Sequence, residues 1–202
     1  LNQSAPEFVE ALKEGLGETD AIARDLFFVA GYDYKTIGDY LKNAGCDTGY
    51  IATLFKNNGK TAEEALEAGL GTDYASMGRA LHTANYTFNE MIDGIKSCWN
   101  VSDQEAVNAA VQGGYPPSVV GPFLRNTCHY NQGKVACFYR LHGDNGVNAL
   151  KAVNDAFGFS SQDDANGLYD GGYSGASIAN AFRGAFNHDK GQPGAIHNIG
   201  ET

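Results

Sequence analysis

The side chains able to do chemistry are thinly spread along this chain. Its five histidines, His82, His129, His142, His188 and His197, form no HExxH and no closely spaced pair, and a metal site needs several ligands brought to one point. His82 and His129 fall in or beside predicted turns, where an imidazole complements the negative end of a helix. His142-Gly143-Asp144-Asn145-Gly146 lacks the alternating oxygen ligands and closing glutamate of a calcium loop, so it reads as helix punctuation. Gly15-Leu16-Gly17 and Gly69-Leu70-Gly71 lack the third glycine and the lysine of a phosphate loop. No G-x-S-x-G serine elbow occurs, and Gly175-Ala176-Ser177 runs on into Ile178 inside a helical pattern. The adjacent carboxylates Glu63/Glu64 and Asp163/Asp164 read as solvated faces of short helices. The sequence therefore offers no catalytic residue, no cofactor-binding residue and no metal ligand, and the expectation is a protein that is not an enzyme.

Modification chemistry is better represented. Cys46, Cys98, Cys128 and Cys137 show no CxxC zinc spacing, and an even count is expected to give two disulfides. Cys128–Cys137 with Cys46–Cys98 is one connectivity; Cys98–Cys128 belongs to another. Asn2, Asn85 and Asn100 open Asn-x-Ser/Thr sequons, and the last two fall in predicted inter-helix turns, where a glycan acceptor belongs. Both features point to a secreted product, with Leu1-Asn2-Gln3-Ser4 read as a mature N-terminus. Trp99, Tyr34, Tyr50 and Tyr74 lie off the main apolar stripe. They form a candidate ligand surface, because Trp and Tyr join apolar area to a polar edge.

Charge and length narrow the classes further. The formal net charge of −10 over 202 residues argues against nucleic acid, which demands clustered Lys and Arg. No apolar run approaches the ~20 residues of a membrane span. Glycine is frequent (26 residues) and proline is not (5 residues), which suggests many tight turns between short elements.

A recurring tripeptide explains those turns. Glycine, an aromatic or apolar residue, then a small polar residue recur at Gly31-Tyr32-Asp33, Gly45-Cys46-Asp47, Gly114-Tyr115-Pro116, Gly158-Phe159-Ser160 and Gly172-Tyr173-Ser174. Asn85-Tyr86-Thr87, Asn100-Val101-Ser102 and His129-Tyr130-Asn131 are variants. With the middle residue as position zero, +5 is apolar at Ile37, Ile51, Leu66, Met77, Met91, Val120 and Val135, and +9 at Leu41, Phe55, Leu70, Leu81, Ile95 and Leu124, Leu66 and Leu70 being counted from Thr61. Residues four apart share a helix face. Asp33, Asp47, Thr87, Ser102, Asn131, Ser160 and Ser174 stand where N-caps belong, and the preceding glycine closes the previous helix in the left-handed conformation. Position zero is then set to pack on its own helix as a hydrophobic staple.

The expectation is an all-α chain of about twelve short helices, in ~14-residue helix-turn units, stacked as an α-solenoid-like or compact helical-repeat domain. That period matches neither the 34-residue tetratricopeptide unit nor the HEAT unit. Residues 1–187 are expected to form one domain and 188–202 an exposed tail. Four departures stand out: Pro122 inside a helix, a shifted unit near Asn145, a compressed one between Thr61 and Thr72, and Asp164 at an apolar +5 position.

In function, this predicts a secreted, glycosylated, non-catalytic structural protein that self-assembles through its terminal helices, as a filament or matrix subunit. An extracellular module binding carbohydrate or another protein is the alternative, and a small secreted hydrolase the second alternative.

Overall fold

A computed structural model describes residues 31–43, 45–158 and 160–186. Asn2, the tail 188–202 with His188 and His197, and Phe159 lie outside the described residues. Eleven helices and no strand occur among them. They are α1 (Tyr34–Asn43), α2 (Thr48–Asn57), α3 (Ala62–Glu67), α4 (Tyr74–Thr83), α5 (Phe88–Trp99) and α6 (Asp103–Gly113), then α7 (Pro117–Asn126), α8 (Gln132–Leu141), α9 (Val147–Phe157), α10 (Ser161–Asp170) and α11 (Gly175–Phe186). The all-helical repeat array expected from the tripeptides is what the chain forms. It groups into two compact units, divided between Pro116 and Pro117.

Each helix begins and ends for the reasons the tripeptide supplies. The side chains of Asp33, Asp47, Thr87, Ser102, Asn131, Ser160 and Ser174 each accept from the backbone N–H three residues on. In Thr61/Glu64, Thr87/Glu90 and Ser102/Glu105 the glutamate bonds back to the cap N–H, closing a capping box. At the other end, left-handed residues turn the chain out of the helix, Gly114 (φ 88°) and Gly172 (φ 87°) among them. Asn85, Asn100 and His129 take the same conformation at φ 59°, 49° and 56°, in the three variant tripeptides. Past each turn the backbone bonds back to the last helical carbonyls, as Tyr115 N–H does to Ala110 O and Tyr173 N–H to Leu168 O.

The departures resolve locally. α9 has no capping side chain at Gly146; the Asp144 carboxylate, just upstream, accepts from the N–H groups of Gly146, Asn148 and Ala149 instead. The buried Ala149, Leu150, Ala152 and Val153 match +5, +6, +8 and +9 when Asp144 is taken as position zero. α7 runs ten residues through Pro122 and is not shortened. α3 is compressed to six residues; its cap is Thr61, so position zero is Lys60 rather than Thr61, and Leu66 and Leu70 stand at +6 and +10 instead of +5 and +9.

Within each unit, a helix lies chiefly against the one two further on. In the first, α1–α3–α5 and α2–α4–α6 form two layers; in the second, α7–α9–α11 and α8–α10 do. The stripe at +5 and +9 is the core between layers: Ile37, Leu41, Ile51, Phe55, Met91, Ile95, Val120 and Leu124 are buried.

The spacing of helices within a layer is set at position +6. Gly38, Gly78 and Gly121 press against the backbone carbonyls of Ala68, Ala109 and Ala152, each at +8 two helices on. A Cβ at any of the three would collide with that carbonyl. Gly78→Ala should therefore push α4 from α6 and cost about 1–3 kcal/mol, read as a lower urea midpoint with unchanged helical circular dichroism at zero denaturant.

Candidate functional surface

The tripeptide aromatics do more than staple their own helices. Tyr86 is buried, and its hydroxyl donates to Lys60 O (3.0 Å), at position zero two helices earlier. The Tyr115 hydroxyl donates to Tyr86 O (2.9 Å), again from position zero to position zero. In the second unit, the Tyr173 hydroxyl donates to the Asp144 carboxylate (3.4 Å). Burial pushes all three phenols well above the usual tyrosine range, with neighbouring carboxylates adding to it. They act as fixed hydrogen-bond donors.

A second column runs along the helix C-termini. Lys42, Lys56, His82, Lys96, Arg125, Arg140 and Arg183 all stand at +10, in the last turn of their helices. Three of them donate to the +12 carbonyl two helices on: His82 Nδ1 to Gly113 O (3.1 Å), Arg140 Nε to Gly171 O (2.8 Å), and Arg125 Nη1 to Ala156 O. Each such bond satisfies a carbonyl that the helix cannot, and the two arginines also place positive charge at its negative end. Sequence reading reached this column at His82 alone; the signal for the rest was a basic residue recurring ten positions after most tripeptide centres, Val101 and Phe159 being exceptions.

The sequence-level candidates are dispersed. Tyr34 opens α1, half-buried, with its hydroxyl between the Glu64 carboxylate and the Lys60 ammonium and its ring edge-on to Phe55. Tyr50 and Tyr74 are half-buried in the first turns of α2 and α4. Trp99 ends α5 and is exposed. The carboxylate pairs divide their work: Glu64 serves its capping box while Glu63 accepts from Ser97 Oγ. Asp163 accepts from Ser160 Oγ, whereas Asp164 is buried.

The expected disulfides are not formed. Cys46, Cys98, Cys128 and Cys137 are all half-buried thiols. Cys98 instead donates to Glu63 O (3.7 Å), and the Arg140 guanidinium lies 3.9 Å from Cys137 Sγ. Burial, with Glu63 and Glu67 nearby, pushes the Cys98 thiol up to about 11, and burial and Asp47 push Cys46 upward. A thiol held protonated is a poor nucleophile.

Both described sequons sit on exposed turns. Asn85 and Asn100 are the left-handed residues of their joints, and the hydroxyls of Thr87 and Ser102 are the caps of α5 and α6. Helix punctuation alone accounts for Asn-x-Ser/Thr at these two places.

Asp164 is the one charged residue buried among the described residues, at 2% exposure. Its Oδ2 accepts from Asn154 Nδ2 (2.9 Å), and its Oδ1 has no hydrogen-bond partner. No group of three or more His, Cys, Asp or Glu able to hold a metal occurs among the described residues. Comparison with protein-family models, curated proteins and solved structures finds no match to this chain.

Burial lifts the Asp164 carboxyl above the usual carboxylate range; the Asn154 bond opposes this and Asp163 adds to it. A raised acid favours folding while protonated, so its share of stability is complete below the ordinary carboxylate pKa and is lost as pH rises through the raised value. Glu90 and Glu105 run the opposite way. Lys56 and Thr87 hold the first below the usual range, and Ser102 the second, so their share is lost on acidification. Comparing Asp164→Asn with the parent chain isolates Asp164: the variant should be more stable by roughly 1–3 kcal/mol at neutral pH. That gain should vanish in acid, as read from urea unfolding across pH.

Proposed function

We propose that this chain is a non-catalytic helical-repeat protein of the extracellular space that works by self-assembly through its terminal helices, as a structural component. The supporting observation is where its reactive side chains are used. Glu64, Glu90, Glu105 and Asp144 close helix N-termini, His82, Arg125 and Arg140 close C-termini, and Tyr86, Tyr115 and Tyr173 tie joint to joint. Side chains committed to the scaffold leave surface as the working part, as in other stacked arrays. Exposure of Asn85 and Asn100 on turns supports glycan addition there.

Sedimentation velocity from low to high micromolar concentration is the test, before and after enzymatic removal of N-glycans. Mass above one chain, growing with concentration, is the expected result, together with loss of mass at Asn85 and Asn100 on deglycosylation. A single-chain mass at every concentration defeats the assembly reading. Exposed Trp99 favours a second reading, an extracellular carbohydrate binder, for which saturable quenching of Trp99 fluorescence by a glycan panel is the expected signal.

A further inference from the structure

At +5 the repeat sends a side chain into the core, and in α10 that side chain is a carboxylate. The residues buried in α10 are Asp164, Gly167 and Leu168, so Leu168 is the one large apolar side chain this helix gives to the core. Its other charges are Asp163 and Asp170, and it holds no basic residue. Small residues make its contacts: Gly167 stands against the Gln132 side chain of α8 and Val153 of α9, and Gly171, just past its end, against Ala136 of α8. The Arg140 guanidinium donates to Gly171 O (2.8 Å) at that same end. Near the other end, Asp164 reaches Asn154 of α9.

Ionised, the Asp164 carboxylate has little to hold it. Asn154 Nδ2 donates to Oδ2 (2.9 Å), while Oδ1 has no hydrogen-bond partner. The charged and titratable groups of every helix packed on α10 are engaged elsewhere or face water. On α8, Lys134 lies over the Tyr130 ring, Arg140 holds Gly171 O with Cys137 beside it, and Tyr139 is buried with Asp144, Asp155 and Tyr173 around it. Lys151 and Asp155 on α9 are exposed, and Arg183 on α11 bonds to Ala179 O of its own helix. On α10 itself, Asp163 adds like charge, and Tyr169 and Asp170 are exposed. A carboxylate buried without a counter-charge is costly. That cost is relieved when the group takes a proton, or when the helix carrying it moves into water.

We propose that Asp164 makes α10 a pH-operated latch, docked on α8 and α9 when its carboxyl is protonated and released locally when it is ionised. Burial raises this acid against the Asn154 bond, with Asp163 adding to the rise. The docked helix therefore binds the proton more tightly than the free one. Docking is strongest below the ordinary carboxylate pKa and weakens as pH rises through the raised value. Release stays local because α11 packs on α9 without α10, and Tyr173 keeps its tie to Asp144. An open latch turns Ala136 and Val153, both fully buried in the docked state, toward water. The chain thus offers a small apolar strip at neutral pH and withdraws it in acid.

Hydrogen exchange of the full chain, read by mass spectrometry from about pH 4 to about pH 8 and corrected for intrinsic rates, tests this with Asp164→Asn and Asp164→Leu. At the upper end, α10 should open roughly 5- to 100-fold more often in the parent than in Asp164→Asn. The two should coincide at the lower end, and α4–α6 should coincide throughout. Equal opening of α10 in parent and Asp164→Asn at every pH overturns the latch. A rise shared by all of α7–α11 overturns it as well, since the unit then opens as a whole. If Asp164→Asn is loosened at every pH because its amide fits poorly, Asp164→Leu decides. Opening of α10 that does not rise with pH in that variant upholds the latch, and a rise matching the parent's overturns it.

Discussion

Backbone groups at helix ends are the constraint around which this protein is built. A helix leaves its first four N–H and last four C=O groups without internal partners, so a helix of ten residues is nearly as much terminus as interior. With helices of six to twelve residues throughout, peptide groups at the joints must find partners outside the helix. Cap hydroxyls and carboxylates serve the N–H side, and the left-handed turn serves part of the C=O side. The remainder is satisfied across the stack, by the Tyr86 and Tyr115 hydroxyls in one direction and by His82, Arg125 and Arg140 in the other. Helix termination and helix stacking are thus one problem with one solution. Short helices with a thin core are held further by bonds from joint to joint two helices away, made by Tyr86, Tyr115, Tyr173, His82, Arg125 and Arg140.

This division explains which parts of the fold were legible in the amino-acid order. Caps, capping boxes and left-handed closures are local, acting over two to five residues, and the tripeptide displays them directly; even Asn85, Asn100 and His129 stood out as stand-ins for glycine. The +5/+9 stripe was visible because one helix face repeats every four residues. Partners some thirty residues apart were not visible. Nothing around Gly78 announces that Ala109 O lies against it, although a glycine or alanine recurring at +6 was a trace of that closeness. The basic +10 column was equally periodic, but it makes sense once a carbonyl is known to face it. Local spacing also misled: cysteines in even number suggested bridges, whereas Cys98 and Cys137 are occupied by Glu63 O and the Arg140 guanidinium. Asp164 was recognisable as a break in the pattern, and its burial follows because +5 faces the core whatever residue stands there.

The candidate site fared differently, for a related reason. Selecting aromatics that lie off the stripe treats the helix as having one buried face, but stacking on both sides gives interior helices a second. Tyr34 shows the consequence, spending its hydroxyl on Glu64 and Lys60 and its ring on Phe55. Of the large apolar side chains that stay outside, Trp99, Tyr169 and Leu141 stand in the last turns of α5, α10 and α8, whereas Tyr32 precedes α1 and Val119 lies in the first turn of α7. Burial here depends less on residue type than on position in the repeat, the +6 residue being buried from α1 to α9 and exposed in α11.

That dependence gives the two directions of the array unequal roles. Tyrosine hydroxyls reach backward, so the last joint is already satisfied when Tyr173 meets Asp144. Small +6 residues and +10 donors reach forward, so they are complete when a later helix exists to receive them. A basic residue anywhere in the final turn of α11 would answer the helix dipole, and one at +9 or +11 would do so as well as one at +10. Arg183 nonetheless keeps the register of Arg125 and Arg140, and Ala179 keeps that of Gly121 and Ala136. The last described helix therefore carries the surface of an interior helix, and an interior surface facing water carries a hydrophobic cost that burial removes. The same contact that joins helix to helix within the chain is what its end has left to offer.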